Sequence, residues 1–122
     1  MIIIAKFFCH GLLKKNNKIL ILQRGNNKVY PFLWDLPGGY KEENEKFEEC
    51  VIREFKEETS LDIIIKELID IKCQLYNNEI IIVLIYEVTS TSYNIKLNKE
   101  HVNYKFVDKF DNEELIWYLK NN

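Results

Sequence analysis

The sequence predicts an α/β fold in a single domain covering residues 1–122, and three observations carry that expectation. Apolar runs of strand length stand at residues 1–13, 19–22 and 79–88. Two Asn-Asn pairs, Asn16-Asn17 and Asn77-Asn78, tolerate positive φ and so close tight turns between strands. One stretch, Glu45 to Thr59, repeats its apolar residues at helical spacing instead. At 122 residues the chain is long enough to bury a core without staples. No repeat, linker or low-complexity tract interrupts it.

Taken in order, Met1 to Leu13 is apolar but lacks a basic start, a long hydrophobic run and a small-residue cleavage site. It reads as the first strand. Lys14 to Lys18 turns around the first Asn pair. Ile19 to Leu22 is continuously apolar, as suits a strand buried on both faces, and it ends at Gln23-Arg24. Gly25 to Asp35 is a loop carrying Tyr30, Phe32 and Trp34. Trp34 is assigned to the core, whereas Tyr30 and Phe32 are open between packing and stacking on a base. Leu36-Pro37-Gly38-Gly39 is a rigid turn followed by two glycines, which lets backbone carbonyls approach a ligand closely. Past the helix, Leu61 to Tyr76 reads as a curved strand, and the second Asn pair turns it into Glu79 to Val88. Asp111 to Glu114 opens a last helix, with Asp111 as cap and Glu114 reaching back in a capping box. Leu115, Ile116 and Leu119 dock that helix onto the sheet.

The helix of residues 45–59 carries the chemistry. At 3.6 residues per turn, Phe47, Val51 and Phe55 form an apolar stripe with Cys50 beside it. Glu54, Glu57 and Glu58 fall within roughly one hundred degrees of one another and overlap the edge of that stripe. Glu49 and Lys56 point the other way, into water. Alone, a Glu/Lys-rich amphipathic helix is an ordinary solvated surface helix. Carboxylates at the border of a buried face are different, because they repel one another and lose hydration. A hard divalent cation, which takes clustered oxygen ligands and shares a phosphate, offsets both costs.

Gly39, five residues, Glu45, seven residues, then Arg53-Glu54-Phe55-Lys56-Glu57-Glu58-Thr59-Ser60-Leu61 resembles the Nudix box. That signature belongs to hydrolases of nucleoside diphosphates linked to another moiety. One fixed position departs from it: Ser60 stands where the family has glycine. Glycine there supplies a left-handed helix exit, so serine costs about 1 kcal/mol but removes no ligand. The resemblance implies a Nudix-type α/β/α sandwich around a mixed β-sheet. It implies Mg2+ (or Mn2+) held by Glu54, Glu57, Glu58 and the Gly38 carbonyl, with Gly38 and Gly39 against the substrate. Arg24 matches an arginine that contacts substrate phosphate in triphosphate-hydrolysing members, and a guanidinium fork suits phosphate oxygens. Glu45 resembles the box glutamate that pairs with the arginine, here Arg53, and both support the metal carboxylates. In Asn98 to Phe106, Glu100 matches a glutamate that swings over the metal site, so either Glu54 or Glu100 is the base. A carboxylate on the metal has its pKa lowered, which favours the more distant Glu100. His101 is assigned no role.

The implied function is metal-dependent hydrolysis of a diphosphate bond. The expected substrate is a nucleoside triphosphate, oxidised ones included, cleaved to monophosphate and pyrophosphate. ADP-ribose or dinucleoside polyphosphate hydrolysis is the alternative, and a non-catalytic nucleotide-binding module the alternative of another class. Stacking residues for the base are sought among Phe8, Tyr30 and Phe32. The net charge of −2 gives no electrostatic case for nucleic-acid binding. No stretch reaches membrane-spanning length. Cys9, Cys50 and Cys73 are too far apart for a zinc pattern and odd in number, so they read as reduced, mostly buried thiols of a cytoplasmic protein. Monomer and homodimer are both open.

Overall fold

A computed structural model describes residues 2–111 and 114–120. Its centre is β1 (Ile4–Lys15) paired in parallel with β6 (Glu79–Ser90), from Ile4 opposite Glu79 to Leu13 opposite Val88. β5 (Ile63–Tyr76) runs antiparallel outside β6 and closes on it through Asn77-Asn78, whose φ angles are 49° and 63°. Two register shifts, between Ile65 and Glu67 and between Leu68 and Asp70, bend β5, which is the curvature its irregular alternation implied. On the other side β2 (Lys18–Arg24) leaves β1 through the Asn16-Asn17 turn, with both residues at positive φ. β2 pairs with β3 (Trp34–Asp35) and with β7 (His101–Val107). β4 (Gly38–Tyr40) lies antiparallel on β1. The sheet is therefore mixed, as expected, and has seven strands among the described residues.

α1 (Phe47–Thr59) covers one face of the sheet. Its backbone start is closed by the Glu49 carboxylate, which accepts the Lys46 N–H at 2.7 Å. Cys50, Val51 and Phe55 are fully buried against Cys9, Leu13, Leu20 and Leu22, and Phe47 packs at the edge. The opposite face is sealed by Trp34, Leu36, Ile21, Val83 and Ile85 together with Leu115, Ile116, Tyr118 and Leu119. Trp34, at 6% exposed, is a core residue as expected.

That second layer differs from the expected last helix. Residues 112 and 113, in the middle of the supposed capping box, lie outside the described residues. Around them, Trp34 N–H donates to the Glu114 carbonyl and Ile116 N–H to the Trp34 carbonyl, both near 3 Å. Leu115 thereby forms a parallel bridge with Trp34, and only a single 3-10 turn follows at Trp117–Leu119. Backbone groups spent on a strand cannot also close helical turns. The same apolar residues dock, but as an extended segment. Among the thiols, Cys9 and Cys50 are buried whereas Cys73 is exposed. Among the described residues, no helix is long and apolar enough to cross a membrane.

Candidate active site

After Leu36-Pro37, the two glycines Gly38-Gly39 enter the site as the start of strand β4 rather than as a free turn. Gly38 pairs with His10 and Gly39 with Cys9. The two glycines are required by contact. Gly38 has φ +152°, and a Cβ there would fall 2.3 Å from the Cys9 carbonyl. A Cβ at Gly39 would fall 2.6 Å from Glu54 Oε2. The missing side chain is what admits the helix carboxylate to the strand.

The expected carboxylates reach this strand to different depths. Glu58 is 3% exposed, and its Oε1 accepts the Gly38 N–H at 2.9 Å. Burial pushes its carboxyl well above the usual range; the Gly38 bond opposes this, while the Glu54 and Asp35 carboxylates add to it. Glu54 is largely covered and accepts from Arg53 Nη1 at 2.7 Å. Glu57 is about half exposed and sits 3.4 Å from the same nitrogen. Arg53 is clamped from below by Glu45, which accepts from Nε at 2.9 Å and from Nη2 at 2.7 Å in a two-pronged pair. That guanidinium lowers the Glu45 carboxyl to about 2. Arg53 also donates to the Tyr40 carbonyl at 3.1 Å, tying α1 to β4.

The donors fit a hard divalent cation by their chemistry. They are carboxylate and carbonyl oxygens, one of them on a buried acid made unfavourable by lost hydration. Their present arrangement is organised by Arg53. Among the described residues, no three His, Cys, Asp or Glu side chains converge on one point as a preformed metal cage. Arg53 takes only Oε1 of Glu54, so the second oxygen of that carboxylate is outside the pair.

These carboxylates, Gly38 and Gly39 line a cavity of about 490 Å3. Arg24, Lys28 and Glu100 line it too, and Phe8, Tyr40, Tyr76, Val83 and Trp117 supply an aromatic and apolar lobe. The volume suits a ligand of nucleotide size. Arg24 is not a free fork: Nε donates to the Val29 carbonyl at 2.7 Å and Nη1 to Asp35 at 3.0 Å. Glu100 is paired with Lys28 Nζ at 2.9 Å, and that ammonium holds its carboxyl below the usual range. His101 is buried, which lowers its ring to about 4, and it bonds Asn98 at 3.2 Å. Tyr30 and Phe8 line the cavity, while Phe32 is half exposed on the loop and outside the lining.

Sequence reasoning missed a buried polar cluster behind Arg24. Asp35 is 3% exposed and takes the Arg24 guanidinium on one oxygen and the Tyr118 hydroxyl on the other. Burial raises its carboxyl, with His10 and Arg24 acting against that. His10, 4% exposed, bonds the Leu36 carbonyl and the Tyr118 hydroxyl. The available signals were faint: an aspartate between Trp34 and Leu36, and a histidine inside an apolar strand. Tyr118 gave no signal at all.

Comparison with known proteins follows from this geometry. The model of the NUDIX domain matches residues 6–119. A nucleoside triphosphatase NudI from Escherichia coli is 29% identical, over 88% of this chain and 82% of that protein. An ADP-ribose pyrophosphatase from Methanocaldococcus jannaschii is 46% identical over 63 residues, half of this chain. That match spans only 36% of the length of the M. jannaschii protein. Among solved structures, a MutT protein from Methanosarcina mazei superposes with a TM-score of 0.79 at 24% identity, over 88% of this chain and 79% of that one. An ADP-ribose pyrophosphatase from Streptococcus suis gives 0.73 at 21% identity, over 96% and 83%. At these identities the structural likenesses speak for the fold alone.

Proposed function

The chain belongs to the NUDIX family of hydrolases, and from that premise we propose that it cleaves a diphosphate bond in a nucleoside triphosphate, releasing monophosphate and pyrophosphate. The observation that carries this reading is the shared cavity. Cationic Arg24 and Lys28, the carboxylates of α1 and an aromatic lobe all line one space of nucleotide size. The likeness to a protein named a nucleoside triphosphatase, over 88% of this chain and 82% of that protein, supports the same substrate class. Oxidised triphosphates belong to that class. ADP-ribose is the second reading, favoured by the locally higher identity to an ADP-ribose pyrophosphatase.

In this proposal Glu54, Glu57, Glu58 and the Gly38 carbonyl hold Mg2+ or Mn2+. Bound there, the cation supplies charge neutralisation of the diphosphate and a more acidic water. The chain's own groups do the rest. Gly38 N–H fixes Glu58 in the strand–helix seam, and Glu45 holds Arg53 so that α1 keeps its carboxylates facing β4. Arg24 faces the phosphates with its remaining N–H groups while Asp35 keeps it oriented. Lys28 adds positive charge at the mouth, and its pair with Glu100 opens when phosphate takes the ammonium. The proton of the attacking water passes to Glu54 or to the Glu100 carboxylate so released. Sugar and base occupy the aromatic lobe, where stacking gives affinity and little selectivity.

The deciding experiment is product analysis on a panel of nucleoside triphosphates, ADP-ribose and dinucleoside polyphosphates, with Mg2+ or Mn2+ and with chelator. Pyrophosphate released from triphosphates only when metal is present is the expected result. Turnover that persists in excess chelator overturns metal dependence. ADP-ribose or a dinucleoside polyphosphate preferred by more than about tenfold, equivalent to 1.4 kcal/mol in transition-state binding, overturns the substrate assignment.

A further inference from the structure

His10 has no task in the hydrolysis just described, yet its ring is among the most firmly placed in the cavity wall. It sits on β1 opposite Gly38 and is 4% exposed. Its Nδ1 lies 2.9 Å from the Leu36 carbonyl. A carbonyl oxygen only accepts, so the Nδ1 proton points there. The Tyr118 hydroxyl, 3.1 Å from the same nitrogen, gives its own proton to Asp35 and so turns a lone pair toward His10. These partners place a proton on Nδ1 and leave Nε2 as the second hydrogen-bonding nitrogen of the ring. Nε2 has no hydrogen-bond partner among the described residues. No buried side-chain nitrogen or oxygen among them is left without one, so Nε2 is not sealed in the core. His10 lines the cavity, and Nε2 is the ring nitrogen left to bond a ligand there.

The position of the ring says what it meets. A Cβ on Gly38 would fall 2.6 Å from His10 Cγ, so the base of the imidazole is pressed against the strand that tethers Glu58. On the nucleotide reading above, on which this step rests, the phosphates lie at that strand and the base reaches toward the aromatic lobe. The sugar lies between them. We propose that His10, backed by the Leu36 carbonyl and the Tyr118 hydroxyl, forms a sugar-hydroxyl subsite in which Nε2 hydrogen-bonds a ribose hydroxyl. The enzyme then prefers nucleotides that keep that hydroxyl, whatever the base.

The test compares kcat/KM for ATP with that for its 2′-deoxy, 3′-deoxy and 2′,3′-dideoxy forms, in the wild type, His10→Phe and His10→Gln. The wild type is expected to favour ATP over the dideoxy form about tenfold, which is about 1.4 kcal/mol. One of the two monodeoxy forms carries most of that loss. In His10→Phe the preference falls to within about twofold, through KM rather than kcat, and His10→Gln restores part of it because its amide also hydrogen-bonds a hydroxyl. Equal wild-type rates on ATP and the dideoxy form overturn the subsite, as does an undiminished preference in His10→Phe. Should His10→Phe not fold, the wild-type panel and His10→Gln decide alone. Thermal shift by the same nucleotides separates the two claims. A larger shift with ATP than with the dideoxy form, lost in His10→Phe or His10→Gln, upholds the subsite even where no product forms. Product formation without any sugar discrimination upholds hydrolysis and ends the subsite.

Discussion

Replacing Ser60 isolates one number in this fold. Ser60 ends α1 at φ 68° and ψ 8°, with its N–H on the Lys56 carbonyl at 3.0 Å. A side chain in that left-handed conformation costs about 1–2 kcal/mol, which Ser60→Gly relieves. Glycine returns about 0.4–1 kcal/mol of this through the greater freedom of the unfolded chain. The Ser60 hydroxyl also donates to the Lys96 carbonyl at 3.2 Å, and losing that exposed bond costs about 0.5 kcal/mol. At the midpoints of these ranges Ser60→Gly should therefore gain only about 0.3 kcal/mol, less than the strain alone suggests. Ser60→Ala keeps the strain and loses the hydroxyl bond, so the glycine variant should exceed the alanine variant by about 0.5–1 kcal/mol. For 122 residues the unfolding entropy is about 0.26 kcal/mol/K, making that gap about 2–4 °C in Tm. Thermal and urea denaturation of the metal-free proteins measure it directly. Hydrolysis rates should agree with the wild type within about twofold, since Ser60 touches no part of the cavity lining. A glycine variant less stable than the alanine variant would refute the left-handed exit.

Glu57→Gln and Glu58→Gln should each lower metal-dependent turnover by orders of magnitude, because amides are poor ligands for hard cations; circular dichroism should show both folded. Glu58→Gln should also flatten the loss of metal-free stability toward alkaline pH. The folded carboxyl of Glu58 is raised, so its contribution is full in acid and lost as pH climbs through the folded value. Glu45 has the opposite sign. Arg53 depresses it to about 2, so its contribution is full above the unfolded value of about 4.3 and is lost as pH falls toward 2. Urea titrations of Glu45→Gln between those pH values should accordingly show a shallower slope than the wild type. Arg24→Ala should weaken triphosphates more than diphosphates by raising KM, and an equal effect on both would remove Arg24 from the phosphates. The same variant leaves Asp35 buried without its guanidinium, so its Tm should fall by several degrees.

The amino-acid sequence by itself determined the features set by neighbours a few residues apart. Asn16-Asn17 and Asn77-Asn78 turn at positive φ because their short polar side chains tolerate it. The spacing of Phe47, Val51 and Phe55 places one face of α1 on the core, and thereby carries Glu54 and Glu58 inward while Glu57 remains half exposed. The left-handed exit at Ser60 was legible from the box position alone. Tertiary structure decided what joins distant segments. The parallel β1–β6 ladder pairs residues some seventy-five positions apart, and local pattern carries no term for such pairing. The terminal segment has the apolar content of a docking helix, yet its backbone is claimed by Trp34 and it lies extended. Arg24 reads from sequence as a phosphate contact, but a buried aspartate eleven residues on holds it. His10 and Tyr118 stand 108 residues apart and meet only because β1 and the terminal turn pack on the same face. Local sterics and helical period act within a turn or two, whereas strand pairing and buried polar partners depend on which segments the folded chain brings together.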